Sequence, residues 1–214
     1  MSLMIKICGM REPENILEVA DLKPDLMGFI FYPDSPRYAG KILNPEILTR
    51  FPPGISRVGV FVNGDFDDIY GTIHKYSLDM VQLHGDESPE TCRQLSEGGI
   101  HVIKSFNIKD SNGFRSCEKY IPYTSYFLFD ASTSKYGGAG YKFDWKILDR
   151  YTLGHPFLLS GGIAPADVYD LLEITNPAFC GIDLNSRFEV KPGLKDVKIL
   201  KKFISDIRTK NKSL

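Results

Sequence analysis

Close cysteine pairs, an excess of charge of one sign and long apolar runs are all missing from this chain, and each absence removes a class of function. The four cysteines, Cys8, Cys92, Cys117 and Cys180, include no C-x-x-C pair. That spacing would bring two thiolates onto one zinc ion or into one redox centre, so neither is expected, and a chain of this size does not depend on disulfides for its core. The 26 basic and 27 acidic side chains leave a formal net charge of -1. No broad field therefore draws the protein to nucleic acid or to an anionic membrane, and an anionic ligand must be caught by a local site. No run approaches the roughly 20 apolar residues of a membrane span, and no basic segment followed by an apolar stretch opens the chain. A cytoplasmic address is the expectation.

What is present is alternation. Apolar runs of strand length recur about every 25 residues, each followed by a segment with helical spacing. Eight units follow: strands over residues 4–8, 26–31, 57–62, 80–83, 101–106, 126–129, 157–159 and 179–184. Helices are expected over 13–20, from 45, from about 65, from 89, over 143–150, over 165–172 and over 195–208, with the segment after the fifth strand the least regular. Pro13, Pro45 and Pro89 suit a first helical turn, where a missing amide hydrogen costs nothing. Strict alternation calls for a parallel sheet. Eight units in 214 residues predict a (β/α)8 barrel, one domain over 1–214, rather than a doubly wound open sheet, which has fewer strands at this length. In such a barrel the chemistry gathers where the strands end.

The residues at those ends are informative. Cys8 closes the first strand, and alternation puts Lys6 on the same face one layer deeper; a lysine there needs a carboxylate, for which Asp183 on the eighth strand is a candidate. Asp130 follows the apolar run Phe127-Leu128-Phe129, a position where desolvation favours a general acid. His84 ends the fourth strand. Arg37, in Ser35-Pro36-Arg37-Tyr38, has the fork geometry to hold a carboxylate. Gly161-Gly162 after the seventh strand and Asn185-Ser186 after the eighth can bring bare backbone amides to a phosphate, as these two loops often do in barrels. The glycine-rich run 135–140 is a candidate cover for the mouth. Packing is the expected role of Cys92 and Cys180.

Taken in order, Lys6-Ile7-Cys8-Gly9-Met10, Ser35-Pro36-Arg37, Gln82-Leu83-His84-Gly85, Leu128-Phe129-Asp130, Gly137-Gly138-Ala139-Gly140 with Phe143-Asp144-Trp145, Ser160-Gly161-Gly162-Ile163, Gly181-Ile182-Asp183 and Pro192-Gly193-Leu194-Lys195-Asp196 resemble the phosphoribosylanthranilate isomerase family across nearly the whole chain. The resemblance implies an Amadori rearrangement in tryptophan biosynthesis, run without cofactor or metal on a small phosphorylated substrate. By matching position it implies Asp130 as acid, Cys8 as base, Arg37 on the anthranilate carboxylate, and the Gly162 and Asn185-Ser186 amides on the phosphate. The chain departs from the family pattern at Arg187, where glycine is usual, and at Ala139, where a hydroxyl side chain is common.

Competing readings are another phosphosugar isomerase, lyase or synthase on the same barrel, and a non-catalytic barrel that binds a phosphorylated metabolite. The first would call for a lysine nucleophile, several carboxylates or a metal at the rim. The second is disfavoured because Cys8 and Asp130 are both present. Thiol hydrolysis lacks a histidine motif beside Cys8. Assembly as monomer or homodimer is open.

Overall fold

The computed structural model describes residues 3–108, 111–130 and 145–210, with 111 and 112 by their backbone alone. The expected cover over 135–140, Ala139 included, and residues 143 and 144 lie outside the described residues. Eight parallel strands close on themselves: β1 (Met4–Ile7), β2 (Leu26–Ile30), β3 (Ser56–Phe61), β4 (Met80–Leu83), β5 (His101–Asn107), β6 (Tyr126–Asp130), β7 (Phe157–Ser160) and β8 (Phe179–Leu184). Closure is made by β1 against β8, with Lys6 opposite Asp183 and Ile7 opposite Leu184.

Strand alternation divides the lumen into layers. Leu26, Val58, Met80, Ile103, Leu128 and Leu158 form an apolar floor. Two residues further along their strands come Gly28, Val60, Gln82, Ser105 and Asp130, so the lumen turns polar toward its C-terminal mouth. The intervening residues face outward onto the helices; Phe129, for example, sits with its ring centroid 4.8 Å from Phe157 and 5.0 Å from Tyr151. That outer layer is the main core.

Helices α1 (Pro13–Ala20), α2 (Pro45–Leu48), α3 (Phe66–Tyr76) and α4 (Pro89–Glu97) fill the first four crossovers. Their starts follow local chemistry. Asn44, Asp65 and Ser88 each accept a bond from a first-turn amide, and proline opens α1, α2 and α4. The later crossovers differ from expectation. A 3-10 run over Ser111–Tyr123, with Pro122 inside it, replaces a helix after β5, and another covers Trp145–Arg150. The expected helix over 165–172 begins as a 3-10 turn, Pro165–Asp167, before α5 (Val168–Leu172). Lys195 is not helical: after a 3-10 turn, Ser186–Phe188, it pairs with Glu189 in a hairpin of β9 (Glu189–Lys191) and β10 (Leu194–Lys195), and α6 starts at Val197. Gly193 turns that hairpin at φ 84, a conformation that costs glycine little. Among the described residues no helix is long and apolar enough to cross a membrane.

Candidate active site

The floor of the site is built by β1. Its lumen-facing Lys6 is fully buried and its Nζ lies 3.0 Å from Asp183 Oδ1, the pairing that the β1–β8 register makes unavoidable. One turn of the pleat higher, Cys8 is 3% exposed, pinned by its amide donating to Leu184 O at 2.9 Å. Gly28 on β2 gives the two side chains their room, since a Cβ there would lie 2.8 Å from Cys8 Sγ and 3.2 Å from Lys6 Nζ. Burial pushes the Cys8 thiol above its ordinary value; the Lys6 ammonium pulls it back, Asp183 adds to the rise, and Lys195 opposes it. Burial works against the charge on Lys6 as well, but Asp183 and Cys8 together hold its pKa above the ordinary value.

Arg37 reaches the rim because the segment after β2 is tied back to it: Tyr38 bridges Ile30, and the Ala39 amide donates to Ile30 O at 2.9 Å. It does not stand alone there. Its Nε lies 2.9 Å from Glu189 Oε1, and its Nη2 donates to Oε2 at 2.6 Å. Lys195 Nζ donates to the same carboxylate and to Asn185 Oδ1, both at 2.7 Å. Burial pushes Glu189 upward, yet the bonds from Arg37 and Lys195 outweigh it and hold the carboxyl below its ordinary range. The sequence reading leaves Glu189 and Lys195 outside the site, although both follow the eighth strand closely.

The two loops expected to hold an anion follow β7 and β8. Gly161 and Gly162, after β7, adopt φ 94 and 71, a turn that residues with a side chain resist. A Cβ on Gly162 would meet nothing within 4 Å, so its backbone borders open space. Ser186 and Arg187 are exposed. The arginine that replaces glycine in this loop sits outside the left-handed region, and so it fits without backbone strain.

Across the mouth, His84 Nε2 lies 3.5 Å from Asp130 Oδ2. Gln82 Nε2 is 2.8 Å from His84 Nδ1; with the amide donating, the ring hydrogen is left on Nε2, facing Asp130. His84 and Asp130 line a cavity of about 600 Å³ together with Asn63, Lys104, Ser105 and Phe106. Lys104 is the residue that sequence reasoning missed here. Its Nζ donates to the carbonyls of Gly85 at 2.8 Å and Ser105 at 3.0 Å and lies 3.2 Å from Glu87 Oε2. Glu87 in turn accepts from the amides of Asn63 and Gly85. A lysine inside the apolar strand Val102-Ile103-Lys104 was the available signal; its carbonyl partners were not.

Buried charges are costly to keep unless paired or put to use. This molecule collects them at the C-terminal end of a closed parallel barrel, the face on which such barrels act, and that defines it as a (β/α)8-barrel enzyme. Residues 5–206 match the protein family described as N-(5'-phosphoribosyl)anthranilate (PRA) isomerase. Over 208 residues the chain is 45% identical to the N-(5'-phosphoribosyl)anthranilate isomerase of Parabacteroides distasonis, covering 96% of this chain and 93% of that protein. It superposes on phosphoribosyl anthranilate isomerase from Thermotoga maritima with a TM-score of 0.82 at 34% identity, covering 97% and 99% of the two chains. A second solved structure, of the isomerase in complex with reduced 1-(o-carboxyphenylamino)-1-deoxyribulose 5-phosphate, gives a TM-score of 0.79 at 32% identity over the same shares. The chain belongs to the N-(5'-phosphoribosyl)anthranilate isomerase family, enzymes of tryptophan biosynthesis.

Proposed function

We propose that this chain isomerises N-(5'-phosphoribosyl)anthranilate to 1-(2-carboxyphenylamino)-1-deoxyribulose 5-phosphate with Asp130 as general acid and Cys8 as general base. Asp130 protonates the ring oxygen of the ribose, the C1–O bond breaks and a Schiff base forms. Cys8 then removes the proton from C2. The electron pair moves toward the iminium nitrogen, giving an enolamine that tautomerises to the ketone. The iminium is the electron sink, so the residues need supply only one acid and one base.

The observation that carries this reading is the position of Cys8 after β1 and Asp130 at the end of β6, on opposite sides of one mouth, with a cationic carboxylate grip beside the first. Arg37 is assigned to the anthranilate carboxylate, and the Gly161, Gly162, Asn185 and Ser186 backbone to the phosphate. Lys6 and Asp183 form the charged bed under Cys8, and His84 orients Asp130. The Lys6 ammonium favours a thiolate against the burial that opposes it. The reduced product bound by the solved relative has both the carboxylate and the phosphate that these groups would hold.

Loss of substrate fluorescence measures turnover. Cys8→Ala and Asp130→Asn are each expected to lower kcat by about 10²- to 10⁴-fold, the usual contribution of a positioned acid or base. Their KM values are expected to stay close to that of the unaltered protein, because the loss falls in the transition state. Full activity in Cys8→Ala would remove the thiol from the mechanism.

A further inference from the structure

The carboxylate of Glu189 is surrounded more completely than a surface ion pair requires. It accepts from Arg37 through both Nε and Nη2, from Lys195 Nζ at 2.7 Å, and from the Gly193 amide at 3.2 Å. Its side chain is 4% exposed and that of Lys195 is 0% exposed, whereas that of Arg37 is 19% exposed. Two cations share one anion, leaving one positive charge in excess. Lys195 is closed off from the mouth, with its ammonium bonded to Glu189 and Asn185. The excess is therefore presented by Arg37, whose Nη1 donates to none of the described residues.

Arg37 and Asn185 also share a support. A Cβ on Gly9 would lie 2.7 Å from Arg37 Cδ and 2.7 Å from Asn185 Oδ1, so both side chains cross the bare backbone of the residue after Cys8. Gly9 has φ 77 and can make that turn without strain. One buried network thus fixes the guanidinium and, through Lys195, the side chain that fronts the eighth loop.

We propose that Glu189 is a positioning residue: it holds Arg37 with its free edge toward the mouth so that the substrate carboxylate meets an already aligned donor. This rests on the carboxylate grip assigned to Arg37 above. An arginine side chain loses much rotational freedom when a ligand fixes it, and a residue that fixes it beforehand strengthens binding by removing that loss. Glu189 makes no contact with reacting atoms in this arrangement. Its removal is therefore expected to appear in KM, and only for substrates that carry the carboxylate.

The test compares the unaltered protein, Glu189→Gln and Arg37→Met on two substrates, N-(5'-phosphoribosyl)anthranilate and the N-(5'-phosphoribosyl)aniline analogue that lacks the carboxylate. Glu189→Gln is expected to raise KM for the anthranilate about 10-fold, with kcat within about 3-fold, and to leave KM for the aniline within about 3-fold. If Glu189→Gln does not fold because Lys195 is stranded, Glu189→Gln/Lys195→Gln removes the stranded charge and is expected to show the same split. Equal losses on both substrates, or no loss on either, would overturn the positioning role. If Arg37→Met fails to distinguish the two substrates, the carboxylate grip fails and the proposal with it. If Arg37→Met distinguishes them and Glu189→Gln does not, the grip stands and only the role of Glu189 is lost.

Discussion

The two sides of the barrel mouth are built on different principles. On the β1, β2 and β8 side, charges lie under and around Cys8 in fixed pairs: Lys6 with Asp183, and Arg37 with Glu189 and Lys195. Space there is so limited that Gly28 and Gly9 must lack side chains. On the β4, β5 and β6 side, His84 and Asp130 are 35% and 18% exposed and border a cavity of about 600 Å³. The buried lysine of that side, Lys104, also pairs with a carboxylate, Glu87, but both partners bond backbone as well, the lysine to carbonyls and the glutamate to amides, and so staple loops together. The charged bed under Cys8 offsets part of the burial that disfavours its thiolate, whereas the more exposed His84 and Asp130 can exchange protons with water. The asymmetry follows the division of labour assigned to Cys8 and Asp130.

Replacing one buried lysine on each side tests that contrast most strongly. Lys6→Met leaves Asp183 buried without its cation and is expected to cost about 3–5 kcal/mol of stability in denaturant titrations. Adding Asp183→Leu is expected to recover much of it. Lys104→Met is expected to cost less, about 1–3 kcal/mol, because Glu87 keeps its bonds from the Asn63 and Gly85 amides. Equal costs would erase the distinction between a charged bed and a loop staple.

Gly28→Ala sharpens the steric half of the comparison. The new methyl would press on Cys8 Sγ and on the Cys8 backbone at 3.2 Å. A cost of about 1–3 kcal/mol is expected, with kcat/KM falling while the circular dichroism spectrum is retained. Unchanged kcat/KM would mean that the thiol need not sit where it does.

The smallest effect is in pH dependence. Burial raises the Cys8 pKa, so the thiolate fraction, and with it kcat/KM, is expected to rise with pH through an apparent pKa above the ordinary thiol value. Removing the Lys6 ammonium is expected to move that limb further toward alkaline pH, which lowers activity at neutrality. A limb lying below the ordinary thiol value would argue for a different base.

Much of the frame was legible because a parallel barrel writes itself as repeated apolar runs, and because a thiol or carboxyl ending such a run has few places to point. The Lys6 and Asp183 pair could be anticipated for the same reason: alternation and closure leave them opposite each other. The sequence places Lys195 at the start of a basic terminal helix. What decides its place is the pairing of β10 with β9 and the ion pair to Glu189, neither of which has a local signature. The role of Arg37 was read as a grip without its counterion, since Glu189 is 152 positions away.

Closure has a consequence in time. Lys6 and Asp183 are separated by 177 positions, and the Cys8 amide bonds to Leu184 on the same late strand. Contacts so distant in sequence form only after a large loss of chain entropy, and they slow folding. Until β8 docks on β1, Lys6 has no anion and Cys8 has no anchored backbone. Competence is thus acquired in one late step of assembly, and recovery of turnover after denaturation is expected to lag behind recovery of helical signal.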